Sequence, residues 1–205
     1  MNKVLVLFAH PALQRSRVNR RLVEAVTSLE GVTLHDLYER YPDFDIDVAG
    51  EQQLLLDHEV VVLQHPFFWY SVPALLKEWI DLVLQHGWAF GREGTALQGK
   101  TLLSAISAGG SEDTYQPGGH NRYTVRQLLA PVELTARLCG MIPLAPFVVY
   151  GTHDLIDAAI SDHASRYREL VTALRDGTLD LDAAAQVPHL NDLTRLRRRE
   201  GHHAH

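Results

Sequence analysis

At 205 residues, with 46% hydrophobic and 21% charged side chains, the chain suits one compact domain with a full core, and two domains would be crowded. Its formal charge of -6 argues against a general nucleic-acid binder, which needs a basic face for phosphates. A single cysteine, Cys139, allows no internal disulfide and fits a reducing, cytoplasmic setting, and no stretch approaches the ~18 apolar residues that would insert directly into a membrane.

In chain order, Lys3 to Ala9 is a continuous apolar run stopped by His10-Pro11, the pattern of a strand buried on both faces. Arg17 to Leu29 follows with Val18, Leu22, Ala25, Val26 and Leu29 at helical spacing. Val32 to Leu37 alternates loosely as a second strand, Tyr41 to Asp45 breaks the pattern, and a short helix is expected near Gln52 to Asp57. Glu59 to His65 reads as a third buried strand. Pro73 then opens a helix with an apolar face of Leu75, Leu76, Trp79, Ile80, Leu82 and Val83. Lys100 to Ser107 is a fourth strand, and Tyr123 to Leu138 a helix bent or broken at Pro131. Met141 to Tyr150 is a fifth strand and Leu155 to Leu174 a last helix. Strands alternating with helices predict a doubly wound parallel sheet in an α/β domain over residues 1–176. Residues 177–205 form a polar extension, expected to be partly disordered, that ends in the basic Arg195 to Arg199 and His202, His203 and His205.

In such a sheet the loops after the strands gather at the carboxyl edge, where ligands bind at a switch in strand order. After the first strand, His10 lies at the turn, and Ser16, Arg17, Val18 and Asn19 arrive at the start of a helix, where free amides and the helix dipole favour phosphate. An ordinary capped helix would use the same residues. After the third strand, Phe67, Phe68, Trp69 and Tyr70 stand in a row; they cannot all point into one core, so some should line a groove for a flat ring or meet another subunit. After the fourth, Ser107, Ala108, Gly109 and Gly110 bring main-chain amides close to a ligand, where they would stabilise charge on a reduced flavin. An anion site beside two ring-gripping loops points to flavin mononucleotide.

One motif match points elsewhere. Gly94 to Thr101 satisfies the GxxxxGK[ST] pattern of nucleotide triphosphatases, but that loop must follow a strand and open a helix. Here irregular chain precedes it and a strand follows, so no nucleotide triphosphate site is expected.

These loops, together with Leu37-Tyr38, Tyr41 to Asp47, Gln64-His65-Pro66, Trp69-Tyr70-Ser71, Pro73 to Asp81, Gly99-Lys100 and Asn121-Arg122-Tyr123, make the chain resemble the flavodoxin-like NAD(P)H:quinone oxidoreductases. Within them it is most similar to the ancillary oxidoreductase subunits of bacterial glutathione-gated potassium efflux (Kef) systems. The resemblance covers roughly Lys3 to Leu174. It implies a five-stranded sheet of order 2-1-3-4-5 with helices on both faces, and FMN, with FAD the lesser alternative, bound by His10, Ser16 to Asn19, Phe67 to Tyr70 and Ser107 to Gly110. It also implies a homodimer with active sites near the subunit interface, NADH or NADPH and a quinone as alternating substrates in a ping-pong exchange, and a potassium/proton antiporter as partner at the inner face of the membrane. Tyr115 and His120 match a tyrosine and a histidine that lie beside the flavin in the family. The chain has Ser107-Ala108 where the family often has two threonines.

Overall fold

The computed structural model describes residues 1–191; the basic, histidine-containing tail lies outside the described residues. The strands are β1 (Val4–Phe8), β2 (Val32–Asp36), β3 (Val60–Pro66), β4 (Thr101–Ser107), β5 (Ile142–Pro143) and β6 (Phe147–Val149). The helices are α1 (Arg17–Thr27), α2 (Leu37–Arg40), α3 (Val48–Leu56), α4 (Ala74–Val83), α5 (Val125–Leu128), α6 (Ala130–Leu138), α7 (Asp157–Asp176) and α8 (Leu181–Gln186). All pairings are parallel in the order β2-β1-β3-β4-β5, with β6 also on β4. The switch in strand order therefore falls between β1 and β3, and it brings the loops after them side by side.

Hydrophobic burial on two faces holds this layering. β1, β3 and β4 are buried along their whole lengths, as continuous apolar runs require. One face packs Val18, Leu22 and Val26 of α1 and Tyr167, Leu170 and Val171 of α7 on the sheet. The other takes Leu55 of α3, Leu75, Leu76 and Trp79 of α4 and Ala136 of α6.

Four expectations are corrected. The fifth strand is two strands, because Pro143 and Pro146 cannot donate to a ladder and the Ala145 amide turns away to Ala184 O at 3.1 Å; the sheet therefore counts six strands. The helix break falls at Leu129, and Pro131 sits in the first turn of α6, where its missing donor costs nothing. The helix expected near Gln52 starts earlier, at Val48, because Asp47 accepts from the Gly50 amide and caps it. Beyond Asp176 the chain continues into the core: Leu179, Ala184 and Leu190 are fully buried, so residues 178–191 are packed against the domain.

Gly94 to Thr101 has a structural occupation. Lys100 Nζ donates to Leu56 O at 3.2 Å and His58 O at 2.7 Å, which satisfies carbonyls at the end of α3. The lysine faces the end of a helix.

Candidate functional site

A cavity of about 640 Å³ opens at the carboxyl edge of the sheet, within the range of small-molecule sites. His10, Ser16, Arg17, Val18, Phe67, Phe68, Trp69, Ser107 and Gly109 line it. Thus nine of the residues singled out from three separate loops meet in one hollow.

The loop after β1 builds its anion-binding part. The Ala12 amide donates to His10 Nδ1 at 3.0 Å; since an amide only donates, the neutral ring carries its proton on Nε2. Burial holds the His10 pKa below its ordinary value of 6.5, which favours that neutral form. A tight turn at Leu13–Arg15 leads to Ser16, whose Oγ accepts from the Asn19 amide at 3.1 Å. This cap leaves the amides of Arg17 and Val18 at the helix start free for an anion. Asn19 itself is buried, and its Nδ2 donates to Ser16 Oγ at 3.1 Å and Ser107 Oγ at 2.8 Å. It ties two loops together and is not among the cavity-lining residues.

The loop after β3 builds an aromatic wall. The Phe67 amide donates to Ser107 O at 2.8 Å, and Phe67 is buried while Phe68 and Tyr70 are about half exposed. Trp69, 92% exposed, stands at the tip of a tight turn closed by the Ser71 amide on Phe68 O at 3.0 Å. Trp69 and Tyr70 have φ of 49° and 64°, the pattern of a type I′ turn that normally calls for Asn or Gly. Each left-handed non-glycine residue costs roughly 1–2 kcal/mol, and such strain concentrates at functional sites.

The glycine loop is only partly as expected. Gly109 lines the cavity, but the Ala108 amide is spent on Val149 O at 2.8 Å. Behind Gly110 lies the ring of Tyr115, 3.0 Å from where a Cβ would stand. Tyr115 is buried between Phe67 and Tyr150, with ring centroids 6.0 and 5.9 Å away. Burial raises its pKa, and that of Tyr150 to about 12. His120 is exposed on the following loop; neither it, Tyr115, Tyr70 nor Gly110 is among the residues lining the cavity. Tyr70 nevertheless reaches that loop, its hydroxyl donating to Asn121 Oδ1 at 3.3 Å.

Sequence reasoning missed Ala12, Arg15, Pro66, Thr152 and His153, all of which line the cavity. Thr152 and His153 belong to the loop after β6, a fourth strand end at the same edge, and the rule that located the other three loops covers it as well. Free amides and arginines from one loop and aromatic rings from another fit a planar phosphorylated group, and FMN is such a group. Among the described residues no cluster of His, Cys, Asp and Glu could hold a metal ion.

Comparison with known proteins bears on this geometry. The family model described as flavodoxin-like fold matches residues 2–171. The chain is 50% identical over 167 residues to the glutathione-regulated potassium-efflux system ancillary protein KefG of Pectobacterium carotovorum, covering 82% of this chain and 91% of that one. Among solved structures, general stress protein 14 of Treponema denticola in complex with FMN superposes with a TM-score of 0.79 at 36% identity, covering 84% and 99% of the two chains. An NADPH-quinone reductase of P. pentosaceus gives 0.75 at 32%, covering 82% and 96%. A structure described as a thermophilic tryptophan halogenase from Streptomycin violaceusniger gives 0.80 at 44%, covering 82% and 97%. The chain belongs to the flavodoxin-like fold family, and within it stands with the KefG ancillary proteins.

Proposed function

We propose that this protein is an FMN-dependent oxidoreductase that carries reducing equivalents from NADH or NADPH to a quinone. The observation that carries this reading is the meeting of a helix-start anion site and a strained aromatic turn in one cavity. The FMN complex and the NADPH-quinone reductase among its structural neighbours support it. When bound, FMN supplies two-electron redox chemistry to whichever substrate stacks on it.

The chain's own residues have definable tasks. The Arg17 and Val18 amides and the His10 Nε2–H bind the phosphate. Phe67 and Phe68 wall the ring, and Trp69 shields it from water. The Tyr115 phenol is protonated at neutral pH like any tyrosine, burial raises its pKa further, and its hydroxyl is a hydrogen-bond donor. His120, on an exposed loop, is a proton donor for the quinone oxygen once substrate draws that loop inward. FAD is the lesser alternative as cofactor. The protein acts as a homodimer, a second copy covering the exposed aromatic turn.

Purified protein is expected to be yellow, to bleach with NADH or NADPH under nitrogen, and to regain colour with a quinone. A colourless protein that does not take up added FMN would refute the assignment. Tyr115→Phe and His120→Ala should each lower quinone turnover about tenfold or more, as loss of a positioned proton donor does, with little change in FMN affinity; unchanged turnover in both removes them from the reaction.

A second reading, supported by the KefG relatives, is that the protein is an ancillary regulatory subunit of a potassium/proton antiporter. No described helix is long and apolar enough to cross a membrane, so association would run through the transporter. Antiporter activation by a variant unable to hold FMN would make this role independent of the redox one.

A further inference from the structure

His153 belongs to no motif in the sequence, yet its imidazole is seated on Gly109. A Cβ added at Gly109 would lie 2.8 Å from Nε2 and 3.1 Å from Cδ2 of that ring. Gly109 does not have a positive φ, so backbone freedom does not explain the glycine; the imidazole fills the space its missing side chain leaves. The turn carrying His153 is stitched to the glycine loop by the Gly151 amide on Gly110 O at 2.9 Å and the Thr152 amide on Ala108 O at 3.2 Å. Four residues on, Asp157 pairs with Arg17 at 2.6 Å. His153 therefore lines the same cavity as the start of α1, and the segment that carries it is tied to Arg17 through Asp157.

We propose that His153 is a further ligand-binding residue, an imidazole that donates a hydrogen bond to the phosphate of the mononucleotide in addition to the α1 amides. The amides of Arg17 and Val18 approach a phosphate from one side only, and Ser16 Oγ is already engaged as a cap. A phosphate held there keeps acceptor oxygens for a further donor, and the His153 ring, seated on Gly109, lines the same cavity. Gly109 is on this view the seat of the histidine. The inference rests on the FMN reading above.

The test is fluorescence titration of flavin-stripped protein with FMN and, separately, with riboflavin, which lacks the phosphate. His153→Ala is expected to weaken FMN by about ten- to a hundredfold, the loss of one hydrogen bond to a charged group, and to leave riboflavin affinity unchanged. Gly109→Ala should weaken FMN in the wild-type background by pushing the ring off its seat, and add little in the His153→Ala background. Equal FMN affinity in wild type and His153→Ala overturns the proposal while the FMN reading stands. Equal loss for FMN and riboflavin overturns the phosphate contact. A Gly109→Ala penalty undiminished in the His153→Ala background overturns the seat. Wild-type protein that binds neither flavin overturns the parent reading as well.

Discussion

A buried carboxylate shows how single residues set the stability of the side of the sheet away from α1. Glu51 in α3 is almost fully enclosed, and it accepts from His35 Nε2 at 2.7 Å, Tyr41 OH at 2.5 Å and Trp79 Nε1 at 2.7 Å. Burial by itself would raise its pKa. The donors from His35, Tyr41 and Trp79 outweigh it and hold the carboxyl below its ordinary value of 4.5. A depressed folded-state value adds stability that is fully present above the unfolded value and is lost as pH falls through the folded one. Glu51→Ala should cost about 3 kcal/mol at pH 7, because it strands buried donors. Glu51→Gln should flatten the decline in stability below about pH 4.5. Urea midpoints at pH 7 and pH 4 measure both, and an equal pH dependence in wild type and Glu51→Gln would reject the linkage. None of this partnership could be read from the sequence, since His35 of β2, Tyr41 just after α2, Glu51 of α3 and Trp79 of α4 are brought together only by the fold.

At the scale of elements, the turn at Trp69-Tyr70 sets stability against function. Its two left-handed residues are poor choices for the turn they make, and their rings contribute little to the core because Trp69 is nearly fully exposed. Replacing them by Asn-Gly should raise stability by about 1–2 kcal/mol, from the relief of backbone strain. The same change should weaken FMN binding by removing the aromatic wall. Thermal melts and flavin titration read the two effects, and a variant that is no more stable would show the turn to be unstrained. The strands and long helices were legible from periodicity because burial on one or two faces writes itself into the spacing of apolar residues. The short helix Leu37–Arg40, capped by Asp36, and the tight turn at Glu112–Tyr115 were not, because pieces of a single turn carry too few residues to show a period. The orientation of a site residue was equally hidden: Asn19 sits at the expected helix start and Ala108 at the expected strand end, yet Asn19 clamps its neighbours and the Ala108 amide is spent on β6.

Over the whole molecule, the segment after α7 decides how firmly the far edge of the sheet is held. Its composition reads as polar, but three apolar positions, Leu179, Ala184 and Leu190, are fully buried. Sparse apolar residues in a polar stretch give no periodic signal, which is why the domain edge drawn at residue 176 falls short of the packed chain. The contacts are specific. Asn191 accepts from the Val148 amide at 2.9 Å and donates back to Val148 O at 2.5 Å, as a neighbouring strand would. The Leu190 amide donates to Pro146 O at 2.8 Å. Arg126 of α5 donates to the carbonyls of Ala185 and Val187, both at 2.6 Å. Through Val149, which accepts from the Ala108 amide, this edge supports the glycine loop of the cavity. Leu190→Ala should therefore cost about 2–4 kcal/mol, the usual penalty for a leucine-sized void. Truncation after Gly177 should lower stability further and weaken FMN binding, although none of the described residues it removes lines the cavity. Urea unfolding and flavin titration on the same preparations test this, and a truncated protein that binds FMN as tightly as the full chain would mean that the glycine loop holds its shape without the edge behind it.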